Sequence, residues 1–200
     1  MSAKKKTVEM YWDIGSTNTY FALKLIKPIL ERHDAELVLH PFNLGHVFRA
    51  NNYVLMDEPP AKLANRKRDL VRWAEKYQLA FRFPSQFPIK SSRVMRGALA
   101  MRKLGLEMPY VDAVFDAYWE KDDATIAGFA GLRPIVEKLG VGIDQFEALS
   151  ESEEIRRQLI DSTNRGLERG VFGVPSMFVG DELFWGKDRM DFIEDELKRL

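Results

Sequence analysis

The spacing of apolar residues changes from strand-like to helical and back again at the start of the chain. Thr7 to Asp13 is a short β-prone run of the length and composition of a buried strand. From about Thr17 to Arg32 the apolar residues recur at helical intervals. Ala35 to Pro41 then alternates β-prone and polar residues. This order predicts a β-α-β unit, in which the two strands are parallel.

Charged, amphipathic segments fill the middle of the chain. Residues 43–60 contain a glycine, paired asparagines and paired prolines, which predicts a long loop of the kind that is usually functional. Helical patterns follow over Ala61–Tyr77, Ser92–Leu104, Pro109–Lys121 and Ala127–Leu139, with an aromatic, proline-rich connector at Phe81–Pro88. We therefore predict that residues 61–140 form an all-helical domain.

The last part of the chain returns to short strands after two more helices. The predicted elements are helices over Ile143–Leu149, Ser152–Arg169 and Arg189–Leu200, and strands over Met177–Val179 and Glu182–Trp185. The two strands are joined by a two-residue loop, which is a strong hairpin signal. The pattern predicts an α/β thioredoxin fold (βαβ…ββα) made of residues 7–60 and 141–200, with the helical domain inserted between the two halves.

Composition and charge exclude several classes of partner. The chain has 30 Lys and Arg residues and 30 Asp and Glu residues, so it has no overall field that would attract nucleic acid or acidic lipid. Met1 to Lys6 is basic but lacks the apolar core of a signal peptide. No run approaches the roughly 20 apolar residues of a membrane span. We predict a cytoplasmic protein that binds neither nucleic acid nor membrane.

The chain contains no cysteine. This excludes a disulfide framework, a thiolate metal site and a cysteine nucleophile, so any thiol chemistry must use a thiol that a ligand brings. The histidines, His33, His40 and His46, are too scattered to indicate a metal site. We therefore predict no bound metal.

Two short stretches are candidates for chemistry. Gly15-Ser16 lies between the first strand and the first helix, where a hydroxyl at a helix N-terminus can cap the helix or help to hold an anion. Pro175 precedes a short strand, and an X-Pro bond can be cis. A cis bond would leave the Val174 N–H and C=O unpaired beside a sheet edge, where an extended peptide can add as a strand. The alternative is an ordinary turn before a strand.

The C-terminal sequence resembles that of a known family. Gly170–Pro175 and the run Gly180–Phe192, which contains Phe-Trp-Gly-Lys-Asp-Arg, resemble the signature of 2-hydroxychromene-2-carboxylate isomerases. These enzymes are similar to kappa-class glutathione transferases, in the DsbA-like branch of the thioredoxin superfamily. The resemblance implies a homodimer that uses glutathione to isomerise an aromatic acid between cis and trans forms in aromatic-compound catabolism.

The same resemblance implies roles for individual residues. Ser16 would be catalytic, with its hydroxyl donating to the glutathione thiolate. The implied glutathione-binding residues are Ser16, Asn52, Lys62, Val174, Pro175, Lys187 and Asp188. Lys62 would meet the glycyl carboxylate, and Asp188 would meet the γ-glutamyl ammonium unless it only caps the last helix. Asn51 could hold the place of Asn52.

Three departures from the family pattern leave the second substrate open. Relatives usually have proline and an aromatic residue where this chain has Thr17 and Asn18, and asparagine where it has Lys90. The sequence is compatible with three functions. They are a glutathione-dependent isomerase, a kappa-like glutathione transferase that conjugates an electrophile, and a thioredoxin-fold binding protein without catalytic activity.

Overall fold

The computed structural model describes residues 5–53 and 58–200. Its strands are β1 (Lys6–Trp12), β2 (Ala35–Pro41), β3 (Ser176–Val179) and β4 (Glu182–Trp185). They form one sheet in the order β2-β1-β3-β4. β1 is parallel to β2 and antiparallel to β3, and β3 is antiparallel to β4. The predicted thioredoxin fold is confirmed.

The helices cover most of the remaining described residues. They are α1 (Thr17–His33), α2 (Leu44–Ala50), α3 (Pro60–Tyr77), α4 (Ser92–Lys103), α5 (Glu107–Trp119), α6 (Phe129–Lys138), α7 (Ile143–Ser150), α8 (Glu153–Glu168) and α9 (Met190–Arg199). A 3₁₀ turn at Ala124–Ala127 precedes α6. All the predicted helices are present with ends that differ by a few residues. No helix within the described ranges is both long and apolar enough to cross a bilayer.

The predicted loop over residues 43–60 is wrong in its first part, because α2 forms there. Asn43 caps this helix by accepting a hydrogen bond from the His46 N–H at 3.1 Å. Val47 is buried in a small apolar cluster with residues of the sheet and of the segment before β3. α2 is therefore stabilised by contacts from distant parts of the chain. Residues 54–57 of the predicted loop lie outside the described residues.

The proposed cap of the last helix is also wrong. α9 begins at Met190, so its N-cap is Arg189, which makes no side-chain capping bond. Asp188 lies one residue too early, and its carboxylate instead accepts a hydrogen bond from the Arg189 guanidinium at 2.8 Å. The carboxylate is held by the neighbouring charge and not by the first turn of the helix.

A continuous apolar core joins the sheet to the helices between residues 61 and 140. Trp119 of α5 is fully buried, and its ring packs on Phe81 with the two ring planes nearly parallel. Its indole N–H donates to the Ile14 carbonyl at 2.9 Å. The helical segment thus holds the backbone that leads from β1 into Gly15 and Ser16. The division of the chain into two folding domains stays a prediction.

Candidate active site

Ser16 joins the start of α1 to the loop before β3. Its side-chain oxygen accepts a hydrogen bond from the Thr19 N–H at 3.3 Å, so Ser16 is the N-cap of α1. The same hydroxyl donates to the Val174 carbonyl at 3.1 Å, so the prediction that this carbonyl is unpaired is wrong. The Val174-Pro175 peptide bond is cis, as the sequence suggested. One buried hydroxyl therefore links the two stretches that the sequence singled out.

Thr17 and Asn18, which follow Ser16, and Val174, whose carbonyl contacts it, each carry a backbone N–H group. The N–H groups of Thr17 and Asn18 belong to the first turn of α1, where a helix offers them no internal acceptor. Among residues 5–53 and 58–200, the Val174 N–H donates to no protein acceptor. Together with the positive end of the helix dipole, these donors make the start of α1 favourable for an anion.

A cleft of about 500 Å³ opens at the start of α1. Gly15, Ser16, Thr17 and Asn18 form one side of it. Among the described residues, the charged ones that line it are Glu58, Lys62, Arg66, Lys67, Asp69 and Lys187, which gives four cations against two carboxylates. This excess of positive charge adds to the helix terminus and favours an anionic ligand.

The two lysines predicted at this site differ in their exposure to solvent and in whether they form an ion pair. Lys62 is exposed and forms an ion pair with Glu58 at 2.8 Å, and this hydrogen bond contributes most to lowering the pKa of Glu58. Lys187 is half-buried, with its Nζ 4.7 Å from the centre of the Trp73 ring. No carboxylate in the described part of the chain lies within ion-pair distance of it. Burial lowers the pKa of Lys187, although the charges of Asp69 and Asp188 oppose this.

The cleft in which Ser16, Lys62 and Lys187 meet is not lined by the other predicted residues, which are Asn52, Val174, Pro175 and Asp188. Asn52 is exposed and has a left-handed backbone with φ of 51°. Asn51, but not Asn52, lines a depression of about 360 Å³ together with Trp185 and with Val174 of the loop before β3, called here the proline loop. Pro175 follows Val174 directly. The glutathione-binding roles of all these residues stay predictions.

Asp13 is a site residue that the sequence did not single out. Its carboxylate is buried and accepts hydrogen bonds from the Gly15 N–H at 2.9 Å, the Leu44 N–H at 3.1 Å and the Ser91 hydroxyl at 3.1 Å. Burial raises the pKa of Asp13, and these hydrogen bonds oppose the shift. Asp13 thus fixes the loop before Ser16 to the starts of α2 and α4. A carboxylate placed directly after a strand and two residues before a glycine is the local signal that marks it.

The fold and the site together define a class of protein. It is a thioredoxin-fold protein whose first helix begins with a hydroxyl facing the proline loop, in a chain with no cysteine of its own. Residues 7–198 match the family described as "DSBA-like thioredoxin domain".

Comparison with individual proteins narrows this class. The chain is 31% identical over 196 residues to a 2-hydroxychromene-2-carboxylate isomerase of Pseudomonas putida, with 96% of this chain and 95% of the relative covered. A solved 2-hydroxychromene-2-carboxylate isomerase superposes with a TM-score of 0.83 at 29% identity, over 96% of this chain and 95% of that one. A kappa-class glutathione transferase, "Glutathione s-transferase kappa 2" of Caenorhabditis elegans, is 22% identical over 96% of this chain and 92% of the relative. The chain belongs to the 2-hydroxychromene-2-carboxylate isomerase family of DsbA-like thioredoxin-fold proteins.

Proposed function

We propose that this protein is a glutathione-dependent isomerase of an aromatic acid resembling 2-hydroxychromene-2-carboxylate. The observation that carries the proposal is the Ser16 hydroxyl, which lies at the N-terminus of α1, contacts the proline loop and borders a cationic cleft. The chain has no cysteine, so a thiol used here must come from a ligand. The names of the relatives support isomerisation, and the kappa-class relative supports the use of glutathione.

The charges of the cleft fit glutathione. This tripeptide carries two carboxylates, one ammonium group and a thiol. Lys62 and Lys187 are suited to the carboxylates, and Asp69 in the same cleft is suited to the ammonium. The Val174 N–H is suited to the backbone of the cysteinyl residue. Bound glutathione would supply a thiolate that adds reversibly to a conjugated carbon of the substrate and leaves after the carbon–carbon bond has rotated.

The protein's contribution is to keep that sulfur ionised at neutral pH. A helix N-terminus stabilises an anion by about 0.3–1 kcal/mol when exposed and by up to about 2 kcal/mol when partly buried. A shift of one pKa unit corresponds to about 1.4 kcal/mol, and an ordinary thiol has a pKa of about 8.5. The Ser16 hydroxyl adds a donor, provided that its hydrogen turns from the Val174 carbonyl towards the sulfur. The two effects together are enough to bring the thiol pKa close to neutrality.

Calorimetric titration with glutathione, followed by mass spectrometry of the reaction product, tests this function. An isomerase binds glutathione and gives a product with the same mass as the substrate. A product heavier by the tripeptide would indicate a transferase. If glutathione did not bind at millimolar concentration, the remaining alternative would be a thioredoxin-fold binding protein without catalytic activity.

On the family resemblance we also propose that the protein is a cytoplasmic homodimer.

We expect Lys187→Met to weaken glutathione binding by roughly 10–100-fold, because a hydrogen bond to a charged group contributes about 1.5–3 kcal/mol. Lys187 is a half-buried cation of the cleft, and no carboxylate of the described chain lies within ion-pair distance of it, although Asp69 and Asp188 are close enough to affect its pKa. The measurement is the Kd of glutathione by calorimetry.

Lys76→Met is the matched control, because Lys76 also lies over the Trp73 ring, at 5.8 Å, but does not line the cleft. This variant removes a lysine from the same tryptophan and should leave the Kd unchanged. Equal Kd values for the two variants would exclude Lys187 from the glutathione site.

A further inference from the structure

A carboxylate of the protein itself lies in the cationic cleft at the start of α1. Glu58, Lys62 and Arg66 follow one another at intervals of four residues, so the three side chains can meet along one side of the start of α3. The Glu58 carboxylate forms ion pairs with Lys62 at 2.8 Å and with Arg66. All three residues line the cleft, and they are called here the Glu58 cluster.

Two other lysines of the cleft lie over aromatic rings instead. The Lys67 Nζ is 5.6 Å from the centre of the Phe83 ring, and the Lys187 Nζ is 4.7 Å from that of Trp73. No carboxylate in the described part of the chain lies within ion-pair distance of either lysine, although Asp69 acts on the charge of Lys187. A ligand carboxylate can therefore approach these lysines without displacing an ion pair, whereas at the Glu58 cluster it meets a like charge.

The Glu58 side chain is the least exposed member of its cluster. Only 14% of it is accessible to solvent, against 64% for Lys62 and 42% for Arg66. The hydrogen bond from Lys62 is the largest cause of a lowered pKa of Glu58, and the charge of Arg66 adds to it. The carboxylate therefore stays ionised at neutral pH. In that form it neutralises part of the charge of the two cations and repels any other anion that approaches them.

We propose that Glu58 is a specificity-determining residue of this cleft, because it takes the place of a ligand carboxylate beside Lys62 and Arg66. A ligand with a carboxylate at that end has to share or displace the contacts of Glu58, whereas a ligand with a neutral group there does not. The cleft thus binds an acidic ligand less tightly than its cations alone would allow. The identity of that ligand as glutathione rests on the proposed function, but the competition by Glu58 does not.

The test compares Glu58→Gln with the wild-type protein. Glutathione is titrated by calorimetry, and glutarate, a dicarboxylate without a thiol, and its neutral diamide are titrated by NMR, with the amide shifts of residues 15–18 reporting on the cleft. Glutamine keeps the shape of glutamate but carries no charge, so Glu58 no longer neutralises Lys62 and Arg66. We expect the Kd values of glutathione and glutarate to fall roughly threefold to tenfold, and binding of the diamide to stay unchanged. If Glu58 instead oriented Lys62 for the ligand, the variant would bind glutarate more weakly.

Glu151→Gln is the matched control, because Glu151 also forms ion pairs with two cations, Arg96 and Arg156, but does not line the cleft. This variant should leave every Kd unchanged, and urea unfolding checks that both variants are folded. Unchanged, weaker or undetectable glutarate binding by Glu58→Gln would overturn the proposal, as would equal tightening of the diamide or equal tightening in Glu151→Gln. Tighter glutarate binding by Glu58→Gln without any binding of glutathione would support the role of Glu58 and contradict the proposed function.

Discussion

We expect Ser16→Ala to lower kcat/KM for the glutathione-dependent reaction by roughly 10–100-fold at neutral pH. The reason is the loss of one hydrogen bond to a charged sulfur, which contributes about 1.5–3 kcal/mol. The same loss should raise the apparent pKa of the bound thiol by about one to two units. Ultraviolet absorbance of the thiolate as a function of pH measures that pKa, and steady-state kinetics measure kcat/KM.

The effect of Ser16→Ala on activity has to be separated from its effect on stability, because Ser16 is also the N-cap of α1. Loss of an N-cap serine costs about 1 kcal/mol of stability. Ser152 provides a close match: its oxygen accepts from the Ile155 N–H at the start of α8 and donates to the Leu149 carbonyl at 2.7 Å. Ser152→Ala should therefore lower stability by a similar amount and leave both kcat/KM and the thiol pKa unchanged.

A conservative variant separates the chemistry from the packing. Ser16→Thr keeps a hydroxyl at the cap, so it should recover most of the activity that alanine loses. If Ser16→Ala and Ser152→Ala had the same kcat/KM and the same thiol pKa, Ser16 would be only a structural cap. The proposed mechanism would then lose its central residue.

The sequence contained enough information to predict the sheet and the long helices, because each of these elements repeats its pattern over several turns or along a whole strand. α2 was missed because it has only seven residues and a single buried position, Val47. Its burial depends on Phe42, Val171 and Phe178, which lie far apart in the chain. Local periodicity cannot reveal contacts of this kind.

The residues of the candidate site also differ in whether local sequence reveals them. Ser16 and Pro175 could be found from the sequence because a helix cap and a proline before a strand are local signals. Asp13 was missed because two of its three donors, Leu44 and Ser91, come from segments far along the chain. Asp188 was wrongly given a capping role because α9 starts one residue later than predicted and Arg189 attracts the carboxylate.

The contact of α5 with the loop before Ser16 leads to a second prediction, which concerns the stability of the protein. We expect Trp119→Phe to lower the free energy of unfolding by about 2–4 kcal/mol. The variant leaves the buried Ile14 carbonyl without its donor, at a cost of about 1–3 kcal/mol, and a smaller ring adds a cavity cost of about 1 kcal/mol. Urea unfolding measures this loss.

Tyr118→Phe separates support of the site from general stability. Tyr118 is equally buried and adjacent, but its hydroxyl donates to the Gln86 carbonyl at 2.9 Å and not to the loop before Ser16. Both variants should lose stability, whereas only Trp119→Phe should weaken glutathione binding, because Ile14 is two residues from Ser16. Equal loss of glutathione affinity in the two variants would mean that the indole bond to Ile14 has no special part in holding the site. A loss confined to Trp119→Phe would mean that the helices between residues 61 and 140 hold the start of α1 in place, in addition to enclosing the cleft.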